Sequence, residues 1–328
     1  MHDDLPRLDR HLARRLLEKK QRLDRYRPLP SHLVQRLHDD LRILLTYHSN
    51  AIEGNTLTLR ETQLVIDHGM TVGGHSLREY LEASNHAAAL DYLTTLIDTP
   101  EPISSADILK LHSLVMSRIL SDAGSWRAIP VSIRGANFIP PPAAQVPQLM
   151  RDWVDWVNSE EAQRYEPVMR AAIAHHGFEA VHPFEDGNGR CGRLLLNLML
   201  MRAGYPPALL LRDWRDGYLI ALDAANTGNY RPLGNLIGRS VESVLDRYLE
   251  VCDQEAAHAE YLSLAELADG TPYQADYLAH LIRKGRLAGK KVNRVWHSTR
   301  AALAQYEADV AAGLAPRGRP PRSSTSRG

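Results

Sequence analysis

His182-Pro183-Phe184-Glu185-Asp186-Gly187-Asn188-Gly189-Arg190-Cys191-Gly192-Arg193 is a polar, glycine-rich stretch between a helical pattern over about 166–181 and an apolar run from Leu194 to Met201. Two glycines around an asparagine let backbone NH groups approach an anion closely, and the helix that follows directs its positive end at the same point. Arg190 and Arg193 lie three apart on that helix and so share a face, where guanidinium forks are expected to hold outer phosphates. Asp186 is a lone carboxylate beside this cradle, the usual way to hold Mg²⁺ when a nucleotide supplies the other oxygens. His182, whose ordinary pKa lies near neutrality, suits removal of a proton from an attacking hydroxyl, and Phe184 is the expected apolar anchor of the loop. The Leu194–Met201 run is apolar almost all round, which places its helix at the centre of a mostly helical domain.

Outward from this loop the helical patterns continue. Leu5, Leu8, Leu12, Leu16 and Leu23 predict an amphipathic helix over 5–25, stopped by Arg27-Pro28-Leu29-Pro30. Further helices are predicted over about 31–53, 59–68, 76–97, 104–120, 145–158, 213–226 and 230–258. Between Gly124 and Pro142 the pattern changes to Val131, Ile133 and Ile139 around Gly135-Ala136-Asn137, which reads as a short β-hairpin, a flap. The organisation is then an N-terminal helix within 1–30, a large domain over 31–258, a small module over 259–312 and a tail over 313–328 with too little apolar content to fold.

The bulk composition excludes several classes. Lys plus Arg and Asp plus Glu both number 39, so net charge is zero and any nucleic-acid patch is local. Cys191 and Cys252 are the only cysteines, which excludes a disulfide framework and fits a reducing compartment. No run approaches eighteen uninterrupted apolar residues and the start is acidic, so the expectation is a cytoplasmic protein without membrane partners.

At every defined position the His182–Arg193 string resembles the signature of the Fic family: histidine-x-phenylalanine-x-acidic-glycine-asparagine-glycine-arginine-x-x-arginine. The resemblance extends over about 31–250 and implies an all-α, mostly helical Fic fold with a β-hairpin flap. It implies transfer of AMP from Mg-ATP to a serine, threonine or tyrosine hydroxyl of a protein. By that match His182 is the general base, Asp186 the magnesium ligand, and Gly187, Asn188, Gly189, Arg190, Cys191, Gly192 and Arg193 the phosphate site. Val131, Ser132, Ile133 and Arg134 resemble the flap strand that aligns the target, and Tyr218 and Asn226 fall where the family lines its adenine pocket. Ser49-Asn50-Ala51-Ile52-Glu53-Gly54 matches the family's inhibitory motif on a helix near 39–54. Glu53 is therefore expected to pair bidentately with Arg193 and deny it to a γ-phosphate, with Ser49 on the same face. Some relatives use the same glutamate to remove AMP, and dimerisation is common among them. Transfer of another group, such as UMP, is the alternative within enzymes.

From Tyr261 the elements shorten. A capping box at Ser263 and Glu266, a second helix from Thr271-Pro272 through Lys284, a small wing around Lys290–Trp296 and a last helix from Thr299 resemble a winged helix-turn-helix. Over 261–300 seven Lys or Arg (Arg283, Lys284, Arg286, Lys290, Lys291, Arg294, Arg300) stand against Glu266, Asp269 and Asp276. Two readings stay open: DNA phosphate contact, as in a nucleotide-sensing regulator, or a protein-docking module with a solvated face.

Overall fold

The structure, a computed structural model, describes residues 5–71, 73–97, 99, 101–132, 138–258 and 261–311. They form two compact units, one from 5–25 with 34–249 and one from 26–33 with 250–311. The first unit is helical. Its elements are α1 (Arg10–Asp24), α2 (Ser31–Ile52), α3 (Leu59–His68), α4 (Leu77–Ile97), α5 (Ser105–Val115), α6 (Val146–Asn158), α7 (Glu160–Gln163), α8 (Pro167–Val181), α9 (Asn188–Arg202), α10 (Arg215–Ala225) and α11 (Arg231–His258), with the first residues of α2 and the last of α11 belonging to the second unit.

Local chemistry explains the boundaries. Asp9 caps α1 by accepting from the backbone of His11 and Leu12 at 3.0 and 3.2 Å, and Leu12, Leu16 and Leu23 are buried. α1 packs on α11 within the first unit, where Gly238 admits Leu12 and Leu16 and the rim is tied by Arg15 to Glu242 at 2.7 Å. Capping boxes start α3 (Thr58 with Glu61) and α5 (Ser104 with Asp107), and Gly69, left-handed at φ 63°, stops α3. α5 ends sooner than the 104–120 pattern predicts, because Arg118 turns left-handed at φ 61° and breaks the helix. α9 is buried from Arg190 to Leu200, at the centre of the unit, as its apolar run predicts.

The expected hairpin falls largely on Ile133, Arg134 and 135–137, outside the described residues; the flanking Val131, Ser132 and Phe138 carry no strand.

The second unit holds β1 (Leu262–Ser263), α12 (Leu264–Ala268), α13 (Ala275–Arg283), β2 (Lys290–Val292), β3 (Val295–Ser298) and α14 (Arg300–Ala311). The sheet order is β1-β3-β2, antiparallel throughout, with Lys290 opposite His297 and Val292 opposite Val295. Asn293 and Arg294 both take positive φ, 47° and 67°, as a tight two-residue hairpin turn requires. α13 starts later than Thr271-Pro272, because the Thr271 side chain accepts from Tyr273 and donates to the Ala268 carbonyl, closing a turn after Gly270. Leu267, Leu278, Leu281, Leu287, Leu303 and Tyr306 form this unit's own core.

Candidate active site

The 182–187 loop joins α8 to α9 and is held from three sides. His182 ends α8 in a left-handed conformation, φ 48° and ψ 62°, with its NH on the Phe178 carbonyl at 3.0 Å. A non-glycine residue persists there only where neighbours over-determine it. Arg127 does so: its Nε donates to the His182 carbonyl at 2.8 Å, its Nη2 to the Pro141 carbonyl at 2.6 Å, and its own NH to the Pro183 carbonyl at 2.9 Å. Phe184 is fully buried, stacked on His112 at 3.6 Å and 2° and flanked by Trp126 at 5.2 Å. Asn188 closes the loop on itself, accepting from the Phe184 NH at 2.9 Å and donating to the Phe184 carbonyl at 2.8 Å.

His112 is a second fastener. Its Nδ1 accepts from the Gly124 NH at 2.8 Å, so Nε2 carries the hydrogen and donates to the Asp186 carbonyl at 3.1 Å. Burial pushes its pKa down to about 4, which keeps the ring neutral and Nδ1 free to accept. Gly187 completes the turn at φ 81°, where a Cβ would sit 2.8 Å from the Met116 sulfur.

A cleft of about 820 Å³ opens over this loop, lined by His182, Asp186, Gly187–Gly189, Arg193, Glu53, Ser132, Tyr218, Asp223 and Asn226 among others. Burial lowers the His182 pKa, with the Glu179 backbone pulling less strongly the other way, so the imidazole is held as a base. Gly187 caps α9 without a side chain, leaving the first-turn NH groups of the helix to an anion. Arg193, buried, donates from Nη2 to Glu53 Oε1 at 2.8 Å and to the Ser49 carbonyl at 2.8 Å, and from Nε to Ser49 Oγ at 3.0 Å. The contact with Glu53 is single rather than bidentate, because Ser49 takes the other side of the fork. Gly189 makes room for it: a Cβ there would collide with the Glu53 carboxylate. Tyr218 bonds His175 Nε2 at 2.7 Å, and Asn226 Oδ1 meets His176 Nε2 at 2.9 Å.

Several predicted residues stand elsewhere. Arg190 does not share the cleft with Arg193; it is 1% exposed, pairing with Asp186 at 3.1 Å and Glu82 at 3.1 Å. Spacing put two arginines on one helical face, but Glu82 from α4 waits there and turns Arg190 inward. Cys191 is fully buried with its thiol pKa raised by desolvation, and Gly192 abuts Glu179, so neither lines the cleft. The Asn188 side chain is spent on Phe184. Sequence reading missed Arg127, His112, Glu82 and Arg78, which come from distant segments; a histidine on the otherwise apolar face of Ile108, Leu109, Val115 and Met116 was the available signal for His112, and Glu82, with Arg78, Glu79, Asn85 and His86 on its face, offered none.

Asp186 is half-exposed, with Arg190, Arg78 and the Gly187 NH on its two oxygens. Among the described residues no group of three or more His, Cys, Asp or Glu forms a metal cage. One reachable carboxylate fits a hard cation that draws most of its oxygens from phosphate.

Residues 102–200 match the Fic/DOC family model. Protein adenylyltransferase fic-1 of Caenorhabditis briggsae is 38% identical over 222 residues, 67% of this chain and 43% of that protein. The solved structure of Fic-1 residues 134–508 from Caenorhabditis elegans matches at 34% identity and a TM-score of 0.67, covering 75% of this chain and 74% of that one. The chain belongs to the Fic/DOC family. A Fic family protein from Desulfovibrio desulfuricans G20 matches at 25% identity and a TM-score of 0.63, covering 90% of this Fic chain and 98% of that one. This Fic chain spans about half the length of the curated relatives it matches, 43% of the first and 52% of another. No helix among its described residues is long and apolar enough to cross a membrane.

Proposed function

We propose that this Fic chain is an autoinhibited protein adenylyltransferase that moves AMP from Mg-ATP to a serine, threonine or tyrosine hydroxyl of a protein. The observation that carries the reading is the convergence of a neutral imidazole, an uncapped helix N-terminus and a buried arginine on one cleft. The names of the curated relatives support it. In the reaction His182 takes the proton of the attacking hydroxyl as its oxygen bonds the α-phosphorus, and the bond from that phosphorus to the β-phosphate bridging oxygen breaks, releasing pyrophosphate. The α9 NH groups and Arg193 hold phosphate charge in place, so catalysis is mainly positioning and electrostatics. Mg²⁺, when bound at Asp186, supplies charge neutralisation on the phosphate oxygens. Tyr218 and Asn226 form the adenine end of the cleft.

The brake is the Glu53–Arg193 contact. A guanidinium already donating to Glu53 and Ser49 is not free to bind a γ-phosphate, so ATP sits in an unproductive pose until Glu53 withdraws. Two buried, free cysteines fit a reducing compartment such as the cytoplasm. The test is label transfer from α-³²P-ATP, with α-³²P-UTP in parallel, for the wild type, Glu53→Gly, and Glu53→Gly with His182→Ala. ATP label that rises in the first variant and disappears in the second supports donor, brake and base together. No label from any nucleotide, on the chain or on lysate proteins, overturns the transferase reading. A second reading, DNA contact by the second unit, is favoured by the exposure of all seven of its cations between 283 and 300. Absence of any DNA shift at low salt removes it.

A further inference from the structure

We infer that Arg78 is a latch on Asp186, occupying the carboxylate that a divalent cation needs, and must swing away before the metal loads. The inference rests on the reading of Asp186 as the metal ligand. Two guanidinium groups meet this carboxylate: Arg190 on Oδ1 at 3.1 Å and Arg78 on Oδ2. Both also face Glu82 Oε1: Arg78 donates to it from Nε at 3.0 Å, and Arg190 meets it as an ion pair through Nη1 at 3.1 Å. Asp186 is thus already charge-matched, and a cation placed on it would face two like charges at short range.

The two arginines differ in which of them is able to leave. The Arg190 side chain is 2% exposed, so separating it from its carboxylates strands a buried charge. The Arg78 side chain is 51% exposed and belongs to the first turn of α4, so it exchanges its ion pair for water at little cost. Glu82 ties this latch to the inhibitory segment, because its other oxygen accepts from Asn55 Nδ2 at 3.0 Å, two residues beyond Glu53. One turn of chain therefore touches the site at two points, at Arg193 through Glu53 and at Arg78 through Asn55 and Glu82.

The experiment is calorimetric binding of β,γ-imido-ATP to the full chain at stepped Mg²⁺ concentrations, for the wild type, Arg78→Ala, Arg78→Lys and Asp186→Ala, with thermal melts as folding controls. The Mg²⁺ concentration for half-maximal enhancement of binding is expected to fall about two- to fivefold in Arg78→Ala, the factor an exposed ion pair commands. Arg78→Lys, which keeps the charge and loses the fork, is expected to fall in between. An unchanged or higher Mg²⁺ requirement in Arg78→Ala, with the dependence lost in Asp186→Ala, overturns the latch and leaves the metal assignment standing. Weaker binding of Arg78→Ala at saturating Mg²⁺ makes Arg78 a phosphate ligand and also overturns it. Full Mg²⁺ dependence in Asp186→Ala overturns the metal assignment, and the latch with it.

Discussion

The loop at 182–193 and the module at 261–300 both carry arginines beside short turns, and they treat them in opposite ways. In the loop Arg190 and Arg193 are buried, Arg190 ion-paired with Asp186 and Glu82 and Arg193 hydrogen-bonded to Ser49 and Glu53. In the module all seven cations are exposed, and Lys290 and Lys291 lie over the rings of Tyr261 and Trp296, at 3.6 and 5.0 Å. Buried, paired charge commits the chain to one geometry and makes each partner costly to remove. Exposed charge acts through a field that salt screens.

Substitutions should separate the two regions. The largest effect is expected from His182→Ala, which lowers AMP transfer about 10²- to 10⁴-fold with an unchanged melt, as removal of a general base does; measurement in the Glu53→Gly background checks it. Phe184→Ala empties a fully buried site and is expected to cost about 3–5 kcal/mol in denaturant unfolding, with loss of nucleotide binding. Acid should weaken the first unit. His86, His112 and His175 are pushed by burial from 6.5 to about 3, 4 and 3, so the unfolded chain binds more protons and stability falls as pH drops from 6.5 toward 4. Glu179, pushed up to about 8 by burial, works the other way and offsets part of this, so a flat denaturation midpoint across that window would contradict the burial of the rings.

Glu53→Gly removes one charge-assisted hydrogen bond from Arg193 and is expected to raise transfer about tenfold or more. The mildest change is Arg283→Ala, Lys284→Ala and Arg294→Ala together. Transfer should stay within twofold, while any DNA affinity should lose about one unit of salt slope per phosphate contact removed. A drop in transfer would show that the module's charge matters to the loop after all.

The same contrast explains what the sequence made legible. The His182–Arg193 loop and the Ser49–Gly54 segment could be read because each is contiguous, with its glycines, acid and arginines at fixed offsets. The buried α9 was equally plain, since an apolar run on all sides of a helix has only one place to go. Arg127, His112 and Arg78 were silent: they reach the loop across 55 to 108 residues of chain, and no local period marks such a meeting. The same blindness misplaced Arg190, for helical spacing states which side chains share a face and not which carboxylate lies opposite. It also idealised the Glu53–Arg193 pair, because nothing in the sequence shows Ser49 taking two of the guanidinium's hydrogens.

The six residues from His182 to Gly187 also join the tail of one helix to the head of the next. His182 stands where the aligned peptide dipoles of α8 end, at their negative pole, and Asn188 opens the positive pole of α9. A proton released in the cleft is thus drawn toward one end of this short bridge, and the negative charge left on phosphate toward the other. The backbone alone sets up a local potential difference along the direction in which the proposed reaction moves charge.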